Sequence, residues 1–510
     1  MSGQAVSGKR RKRFDSLVKA VAGAHLSGLS SVEVTGIAYD SRKVEPGWVF
    51  VAVRGERFDG HSFVPQAMRN GAVALVVEAG HETGISPPSG GSVAVVPDTR
   101  AAMAAIAGAF YDYPSSRLVL AGVTGTNGKS TTTLVMDAVF RAAGHSSGVI
   151  GTLEYRVGDR KMRAPHTTPE ALDLQGLLAE MTDAGVTHAA MEVSSHALSL
   201  HRADGCQFAA AVFTNLTPEH LDFHRTLDDY FEAKRHLFCD PQYLPSGGER
   251  VNAVNIDDSA GELIARDALG RTLTYGLSSR ADCRAEQIGL RPEETSFLFV
   301  HPAGRAQVAM RLIGEFNVYN ALGALAACLG LGIEPAIACS AIEQMAPVRG
   351  RFERVPSAAR NVLIDYAHSP DGLRRALETA RRVTRGRVIV VFGCGGDRDR
   401  TKRPVMGEIA SRLADACVVT SDNPRSERPE GIIGEILAGI PKETRDRCSV
   451  ELDRAQAIRL AITQARPEDL VLVAGKGHED YQIFADRTVH FDDREVAERV
   501  LREIEGGSGG

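Results

Sequence analysis

The stretch Thr124-Gly125-Thr126-Asn127-Gly128-Lys129-Ser130-Thr131 constrains this chain more than any other. It stands between Leu118 to Val123, an apolar run of buried-strand type, and Ser130 to Ala143, which reads as a helix stopped by Gly144. A strand feeding a helix through a glycine-rich loop is how a parallel α/β sheet is built. The same loop is a phosphate cradle. Glycines let backbone N–H groups close on an anion, the helix start favours negative charge, Lys129 can neutralise the β and γ phosphates, and Ser130 can ligate magnesium. The general P-loop pattern has a glycine five places before Gly128, where this chain has Val123.

Two further strand candidates, Ala189 to Val193 and Ala209 to Thr214, run directly into polar loops. The first continues as Glu192-Val193-Ser194-Ser195-His196, the second as Asn215-Leu216-Thr217-Pro218-Glu219-His220-Leu221-Asp222-Phe223-His224. Taken alone, either is a capped loop with surface histidines. Beside a P-loop, Glu192 and His220 offer the oxygen and imidazole ligands that a hard cation accepts.

Texture divides the chain. Before Tyr113-Pro114-Ser115-Ser116, strand-like runs such as Val49 to Val53 and Ala74 to Val77 alternate with helix-like ones. After a helical stretch from Asn317 to Leu331, Pro347 to Phe352 marks a second boundary. Beyond it lie strand candidates Val362 to Ile364, Val388 to Phe392, Ala416 to Thr420 and Leu470 to Ala474, each leading into a loop rich in Gly, Asp, Asn, Arg or His. Ligands of open α/β sheets bind beyond the carboxyl ends of strands, so both larger domains should present binding loops there. The fold class is α/β with three domains: a small amino-terminal α/β domain over 16–114, a central P-loop ATPase-type parallel sheet over 115–346, and a carboxy-terminal Rossmann-like domain over 347–505. Residues 1–15 read as a disordered basic tail and 506–510 as a flexible one.

Composition agrees and excludes. A length of 510 residues fits roughly three domains of about 150 each. A net charge of -5 provides no basic footprint for nucleic acid. No apolar run is long enough to span a membrane, and the basic cluster Lys9 to Arg13 has no apolar signal core after it. The eight cysteines are scattered, without a Cys-x-x-Cys pair or zinc-type spacing, as in a reducing cytoplasm.

The loop Gly125-Thr126-Asn127-Gly128-Lys129-Ser130 resembles the P-loop of Mur ligases and folylpolyglutamate synthases. The order of the later motifs, from about Tyr39 to Asp493, is similar to that of Mur ligases over almost the whole chain. That resemblance implies a cytoplasmic, monomeric, ATP-dependent amide ligase of peptidoglycan precursor synthesis. It implies ATP contacts at Gly125, Thr126, Asn127, Gly128, Lys129, Ser130 and Thr131, with Asp365 and His368 near the adenosine. It implies two magnesium sites held by Ser130, Glu192, His220 and Lys234, the last as a carbamate. Lys129, Glu192, His220, Lys234 and Arg351 are the implied catalytic set, Arg351 being carried toward the γ-phosphate by its domain. Residues read alone would make Lys234 a solvated helix lysine.

For the uridine-linked muramoyl dipeptide, the resemblance points to Tyr39, Ser41, Glu56, Arg57 and Phe58, then to Thr167, Thr168, Ser194 and Arg202. Leu200 departs from the family, since some relatives have glutamine there. Three later loops, Gly393 to Arg398, Asp422-Asn423-Pro424-Arg425 and Gly475 to Glu479, match the members that add meso-diaminopimelate to UDP-N-acetylmuramoyl-L-alanyl-D-glutamate. Diaminopimelate differs from lysine by a carboxylate at its far end. Arg425 and Arg398 suit that carboxylate and Glu479 the ammonium, with Asp422, Asn423, Pro424 and Gly475 around them. The competing readings are a lysine-adding relative, which would lack Arg425, and an inactive nucleotide-binding regulator, which would not need Lys129, Glu192, His220 and Lys234 together.

Overall fold

The computed structural model describes residues 10–29, 31–55 and 58–507. They form two compact units, one of 10–283 with 323–338, the other of 284–322 with 339–507. The boundary expected at 346/347 therefore falls within the second unit.

The first unit carries two large sheets and a two-stranded one. The amino-terminal one has five strands in the order His25–Gly28, Ser92–Val96, Ala74–Glu78, Trp48–Val51, Gly36–Ala38, parallel except for the first. Its helix Thr99–Phe110 is capped by Asp98, which accepts from Arg100 N and Ala101 N. Ala102, Ile106 and Phe110 of this helix share an apolar layer with Ala171 and Leu172 of the helix Ala171–Asp183. That shared layer is why the amino-terminal and central domains make one unit. The expected disordered tail needs correction: Lys12–Arg13 pairs antiparallel with Glu33–Val34, and Phe14 is fully buried. Residues 1–9 lie outside the described residues.

In the central sheet of this unit six strands run parallel in the order Ser147–Ile150, His188–Glu192, Val119–Thr124, Ala210–Phe213, Val251–Asn255, Arg271–Gly276, and the antiparallel Tyr155–Val157 and Arg160–Met162 extend it beyond Ser147–Ile150. Apart from Val119 and Leu273, their valines, alanines and leucines are buried, as in a parallel sheet covered on both faces. Register matters most at the centre. Glu192 is level with Val123, and Phe213 with Thr124, so three strand ends deliver the P-loop, Glu192 and the loop to His220 at one edge.

The second unit holds a sheet in the order Glu353–Val355, Asn361–Asp365, Leu470–Ala474, Val388–Phe392, Ala416–Val419, Cys448–Val450, parallel after the first strand. Two apolar layers sandwich it, one built on Leu373, Leu377, Met406 and Ile436, the other on Ile458, Ile462, Val500 and Leu501. The last helix, Asp493–Gly507, continues past the expected boundary at 505. Among the described residues, no helix is long and apolar enough to cross a membrane.

Candidate functional site

The P-loop is held open by its neighbours. Gly125 has φ +145, and a Cβ there would sit 1.9 Å from Thr214 Oγ1, so only glycine fits. Thr126 N donates to Asn215 O at 2.8 Å, Asn127 N to Asn215 Oδ1 at 3.0 Å, and Thr217 N to Thr126 Oγ1 at 2.9 Å. The Asn215–Thr217 segment thus braces the loop, while the helix Lys129–Ala142 begins directly after Gly128. Ser130 and Thr131 are buried in its first turn.

Two lysines converge on this loop. Lys129 Nζ donates to the carbonyls of Gly125 at 2.9 Å and Thr126 at 2.8 Å. Lys234 Nζ donates to the same Gly125 carbonyl at 2.9 Å, lies 4.2 Å from the Tyr230 ring centroid, and is only 1% exposed. Burial, then repulsion from Lys129, drives its basicity well below that of an ordinary lysine. Sequence reading by residue type alone would place Lys234 in solvent. The helix Leu227–Cys239 explains why it is not: Tyr230, Ala233, Lys234, Leu237 and Phe238 form its buried stripe at helical spacing.

Glu192 is buried at its strand end. Thr152 holds it, donating N–H to Oε1 at 2.7 Å and its hydroxyl to Oε2 at 3.2 Å. Thr152 also lies 3.0 Å from the Thr167 hydroxyl, and Thr168 Oγ1 donates to Glu192 O at 2.9 Å and accepts from Ser194 N at 3.2 Å. Thr167, Thr168 and Ser194 therefore adjoin the carboxylate, and Thr152, which sequence reading missed, ties them to it. His220, exposed and at φ +58, packs edge-on to His196 at 4.8 Å. His224, also missed, is buried with Nε2 2.9 Å from Ser195 Oγ.

A cleft of about 1010 Å³ in the first unit is lined by Tyr39, Ser41, Phe58, Arg100, Leu200 and Arg202, among others. Phe58, 71% exposed, offers an aromatic face, set edge-on to Phe63. Tyr39 donates to Asp173 Oδ2 at 2.6 Å and Ser41 to Gln66 Oε1 at 2.9 Å. Glu170 bridges Arg202 at 2.6 Å and Arg100 at 3.3 Å, a clamp that sequence reading did not find. Glu56 and Arg57 lie outside the described residues. Nearby, Asp59, His61 and His81 cluster closely enough to suggest a metal site. His61 does not suit one: Nδ1 lies 2.6 Å from Asp59 Oδ1, and Nε2 accepts the Glu78 N–H at 2.9 Å. Both nitrogens are engaged and the tautomer is fixed.

In the second unit the strand-end loops pack on one another. A Cβ on Gly396 would meet Pro424 O at 1.9 Å, so the 393–398 loop approaches Asp422–Arg425 only because that residue is glycine. Arg425, at φ +53, donates Nη1 to Gly396 O at 2.7 Å. Gly395 stands between the two arginines, its hypothetical Cβ 2.9 Å from Arg425 Nη1 and 3.7 Å from Arg398 Cγ. Asn423 Nδ2 donates to Glu479 Oε2 at 2.8 Å, and Lys476, 0% exposed, donates to Asn423 Oδ1 at 3.2 Å and to Glu479 at 3.3 Å. Asp422 is buried, and a Cβ on Gly475 would meet its Oδ2 at 2.8 Å. The loops thus gather Arg398, Arg425, Asn423 and Glu479 at one end of the sheet, with Glu479 Oε2 accepting from both Asn423 and Lys476.

Arg351 lies 4.8 Å over the Tyr366 ring. Asp365 accepts the Phe352 N–H at 2.8 Å, and burial lifts its carboxyl to about 6 despite Arg351 nearby. His368 is exposed, 2.8 Å from Tyr366 O. His478 packs on Tyr366 at 4.9 Å and is pushed down to about 4 by burial and by Arg351.

Comparison with known proteins matches the three segments to Mur ligase families: the Mur ligase family catalytic domain at 33–121, the Mur ligase middle domain at 123–328, and the Mur ligase glutamate ligase domain at 350–477. The chain is similar to proteins named UDP-N-acetylmuramoyl-L-alanyl-D-glutamate--2,6-diaminopimelate ligase. One from Clostridium botulinum is 44% identical, covering 92% of this chain and 96% of the relative. One from Synechococcus sp. is 47% identical, covering 95% and 98%. A solved structure of a ligase of that name, 32% identical, superposes with a TM-score of 0.72 over 97% of this chain and 99% of the other. The ADP complex of the Thermotoga maritima MurF ligase shares the fold, with a TM-score of 0.63 at 19% identity over 92% of this chain and 98% of the other.

Proposed function

The chain belongs to the Mur ligase family, and from that premise we propose that it joins meso-2,6-diaminopimelate to the D-glutamate of UDP-N-acetylmuramoyl-L-alanyl-D-glutamate, with ATP converted to ADP and phosphate. The reaction belongs to peptidoglycan precursor synthesis, and we assign it to a monomer in the cytoplasm. One observation carries the choice of amino acid: Arg425 and Arg398 flank Gly395, in a strand-end site that also holds Glu479. Diaminopimelate brings a carboxylate for the guanidinium fork and an ammonium for Glu479. Lysine would leave the fork unpaired, and sites built around such partners reject analogues lacking them by about 10⁴-fold.

Ser130, Glu192, His220 and a carbamate on Lys234 are the groups we assign to magnesium. Their chemistry fits: a buried carboxylate fixed by Thr152, a hydroxyl in the helix's first turn, an exposed imidazole, and a lysine whose lowered basicity leaves an amine able to react with carbon dioxide. In that reaction the nitrogen bonds to carbon and releases a proton, giving a carbamate anion. The carbamate anion would also sit beside the Lys129 ammonium, with which Lys234 shares the Gly125 carbonyl. Bound magnesium supplies neutralisation of phosphate charge.

The chain's own groups do the rest. Phosphate draws Lys129 from the Gly125 and Thr126 carbonyls, because a phosphate oxygen carries a full negative charge where a carbonyl offers the ammonium only a dipole. The P-loop N–H groups hold the β and γ phosphates in line with the D-glutamate carboxylate, which Arg202 and Thr168 orient. That carboxylate oxygen bonds to γ-phosphorus as the bond to ADP breaks. The diaminopimelate amine, as free base, then bonds to the acyl carbon, the carbon–oxygen bond to phosphate breaks, and the nitrogen releases one proton to the departing phosphate or to water as the amide forms. The cleft with Phe58, Ser41 and Tyr39 takes the uridine end of the nucleotide. Asp365 and His368 serve the adenosine, and Arg351 the transferring phosphate.

The test is phosphate release by the purified chain with magnesium-ATP and the UDP-linked dipeptide, comparing meso-diaminopimelate, L-lysine and no amino acid. Release with diaminopimelate alone is the expected result. Release with lysine alone overturns the reading of Arg425, and silence in all three, with ATP still bound, overturns the ligase.

A further inference from the structure

Cys417 and Cys448 are partnered residues in the parallel ladder between Ala416–Val419 and Cys448–Val450. Partnered side chains of parallel strands share a face, and here both reach the same apolar layer, Cys417 within it and Cys448 at its margin. Cys448 Sγ donates to Thr444 O at 3.6 Å. Adjacent strands lie about 4.7–4.9 Å apart. That spacing is inside the Cα range of disulfides, about 4.4–6.8 Å, but strains their Cβ range of about 3.5–4.5 Å. A bond closed here would be a reducible one rather than a structural staple.

Position adds access. Cys448 begins the edge strand of the six-stranded sheet and is half-buried, so it reaches solvent while Cys417 does not. The neighbouring Cys417, and after it the charges of Arg445 and Arg447 on the short turn Lys442–Arg447, hold the Cys448 thiol below its ordinary range. Thiolate is the nucleophilic form. Elsewhere, burial pushes Cys206, Cys283 and Cys394 up to about 12, which keeps them inert.

We propose that Cys417 and Cys448 form an oxidative modification site whose co-substrate is a hydroperoxide, Cys448 reacting first and Cys417 resolving it. In the first step Cys448 sulfur bonds to the distal peroxide oxygen, the O–O bond breaks, and hydroxide or alkoxide leaves. The product is a Cys448 sulfenic acid. In the second, Cys417 loses its proton and its sulfur bonds to Cys448 sulfur, while the S–O bond breaks and water leaves. The two thiols lose two electrons and the peroxide gains them. A dithiol reverses the bond by exchange. The strand carrying Cys417 continues into Asp422–Arg425, so the modified element is the one that delivers that loop.

The experiment treats the full chain with hydrogen peroxide, alkylates the remaining thiols and maps peptides without reduction. The expected result is loss of two of the eight free thiols, one cross-linked peptide containing Cys417 and Cys448, and full reversal by dithiothreitol. Cys417→Ser should leave Cys448 as a sulfenic acid that dimedone traps; Cys448→Ser should leave Cys417 unreacted. If Cys417→Ser does not fold, the wild-type map decides. A different cysteine reacting first, or Cys448 passing to sulfinic acid while Cys417 stays free, overturns the proposal.

Discussion

Replacing Arg425 tests the proposed amino-acid site at its centre. Its Nη1 already holds Gly396 O at 2.7 Å and its backbone N donates to Ile483 O at 3.0 Å, so the guanidinium is oriented before any substrate arrives. Two parallel hydrogen bonds to a carboxylate, each worth about 1.5–3 kcal/mol, total about 3–6 kcal/mol. At about 1.4 kcal/mol per factor of ten, Arg425→Ala should lower kcat/KM for meso-diaminopimelate by about 10²- to 10⁴-fold. Arg425→Lys keeps a charge and loses the fork, which predicts a loss of about 10- to 100-fold, one bond's worth. The backbone is a built-in control. Arginine, lysine and alanine all carry a Cβ at φ +53, so strain is common to the three proteins and cancels in the comparison. Phosphate-release kinetics with each substrate varied in turn are the assay. KM for ATP and for the UDP-linked dipeptide should stay within about twofold. A loss below threefold for diaminopimelate, or one that falls on ATP instead, refutes the reasoning.

Three further outcomes are expected. Depleting carbon dioxide and bicarbonate from the buffer should lower kcat, with bicarbonate restoring it, while Lys234→Arg, whose guanidinium cannot form the carbamate, should show no response; a wild type indifferent to bicarbonate would remove the carbamate. Gly396→Ala forces a Cβ onto Pro424 O, an overpacking that costs about 1–3 kcal/mol; KM for diaminopimelate should rise about tenfold with KM for ATP unchanged, and equal effects on both would rule out a local cause. Asp365 and His478 should give opposing pH slopes to the stability of the second unit. Asp365 is raised from 3.8 to about 6, so its contribution is complete below about pH 4 and lost as pH rises through 6. His478 is lowered from 6.5 to about 4, so its contribution is present above 6.5 and lost as pH falls toward 4. Urea unfolding between pH 4 and 7 should therefore steepen upward with pH in Asp365→Asn, and a flatter curve than wild type would contradict the assignment.

Strands and their loops were legible because a parallel sheet buried on both faces leaves continuous apolar runs that end abruptly in polar residues. Val388 to Phe392 and Leu470 to Ala474 have the same limits in sequence and structure, and Val119–Thr124 shifts by one residue. Cys448–Val450 was not legible: three residues at a sheet edge, half-exposed, carry no run of their own and depend on Ala416–Val419 for their hydrogen bonds. The two-unit division was hidden for a related reason, since the layer shared by Phe110, Ala171 and Leu172 joins residues far apart in sequence.

At the site, legibility followed exposure. The residues proposed to face ligand sit in loops with distinctive composition, whereas the charges that hold those loops sit on helices and strands and look like ordinary surface residues. Arg454 is the clearest case. It opens the helix Arg454–Gln464, where a charged residue in the first turn would normally be solvated, yet it is fully buried against Asp493, with bonds of 2.7 Å to both carboxylate oxygens. Its remaining N–H groups reach Ser421 O at 3.4 Å and Ala474 O at 3.1 Å, the residues just before Asp422 and Gly475. Arg403 does the same for the neighbouring loop, held by Glu427 and Glu435 and donating to Gly395 O at 3.2 Å. Removing Asp493 from its fully buried pair with Arg454 costs about 3–5 kcal/mol, far more than a surface pair contributes. A sequence shows the charge but not its burial. The loops that announce the chemistry are therefore positioned by residues that announce nothing, and only the fold connects the two.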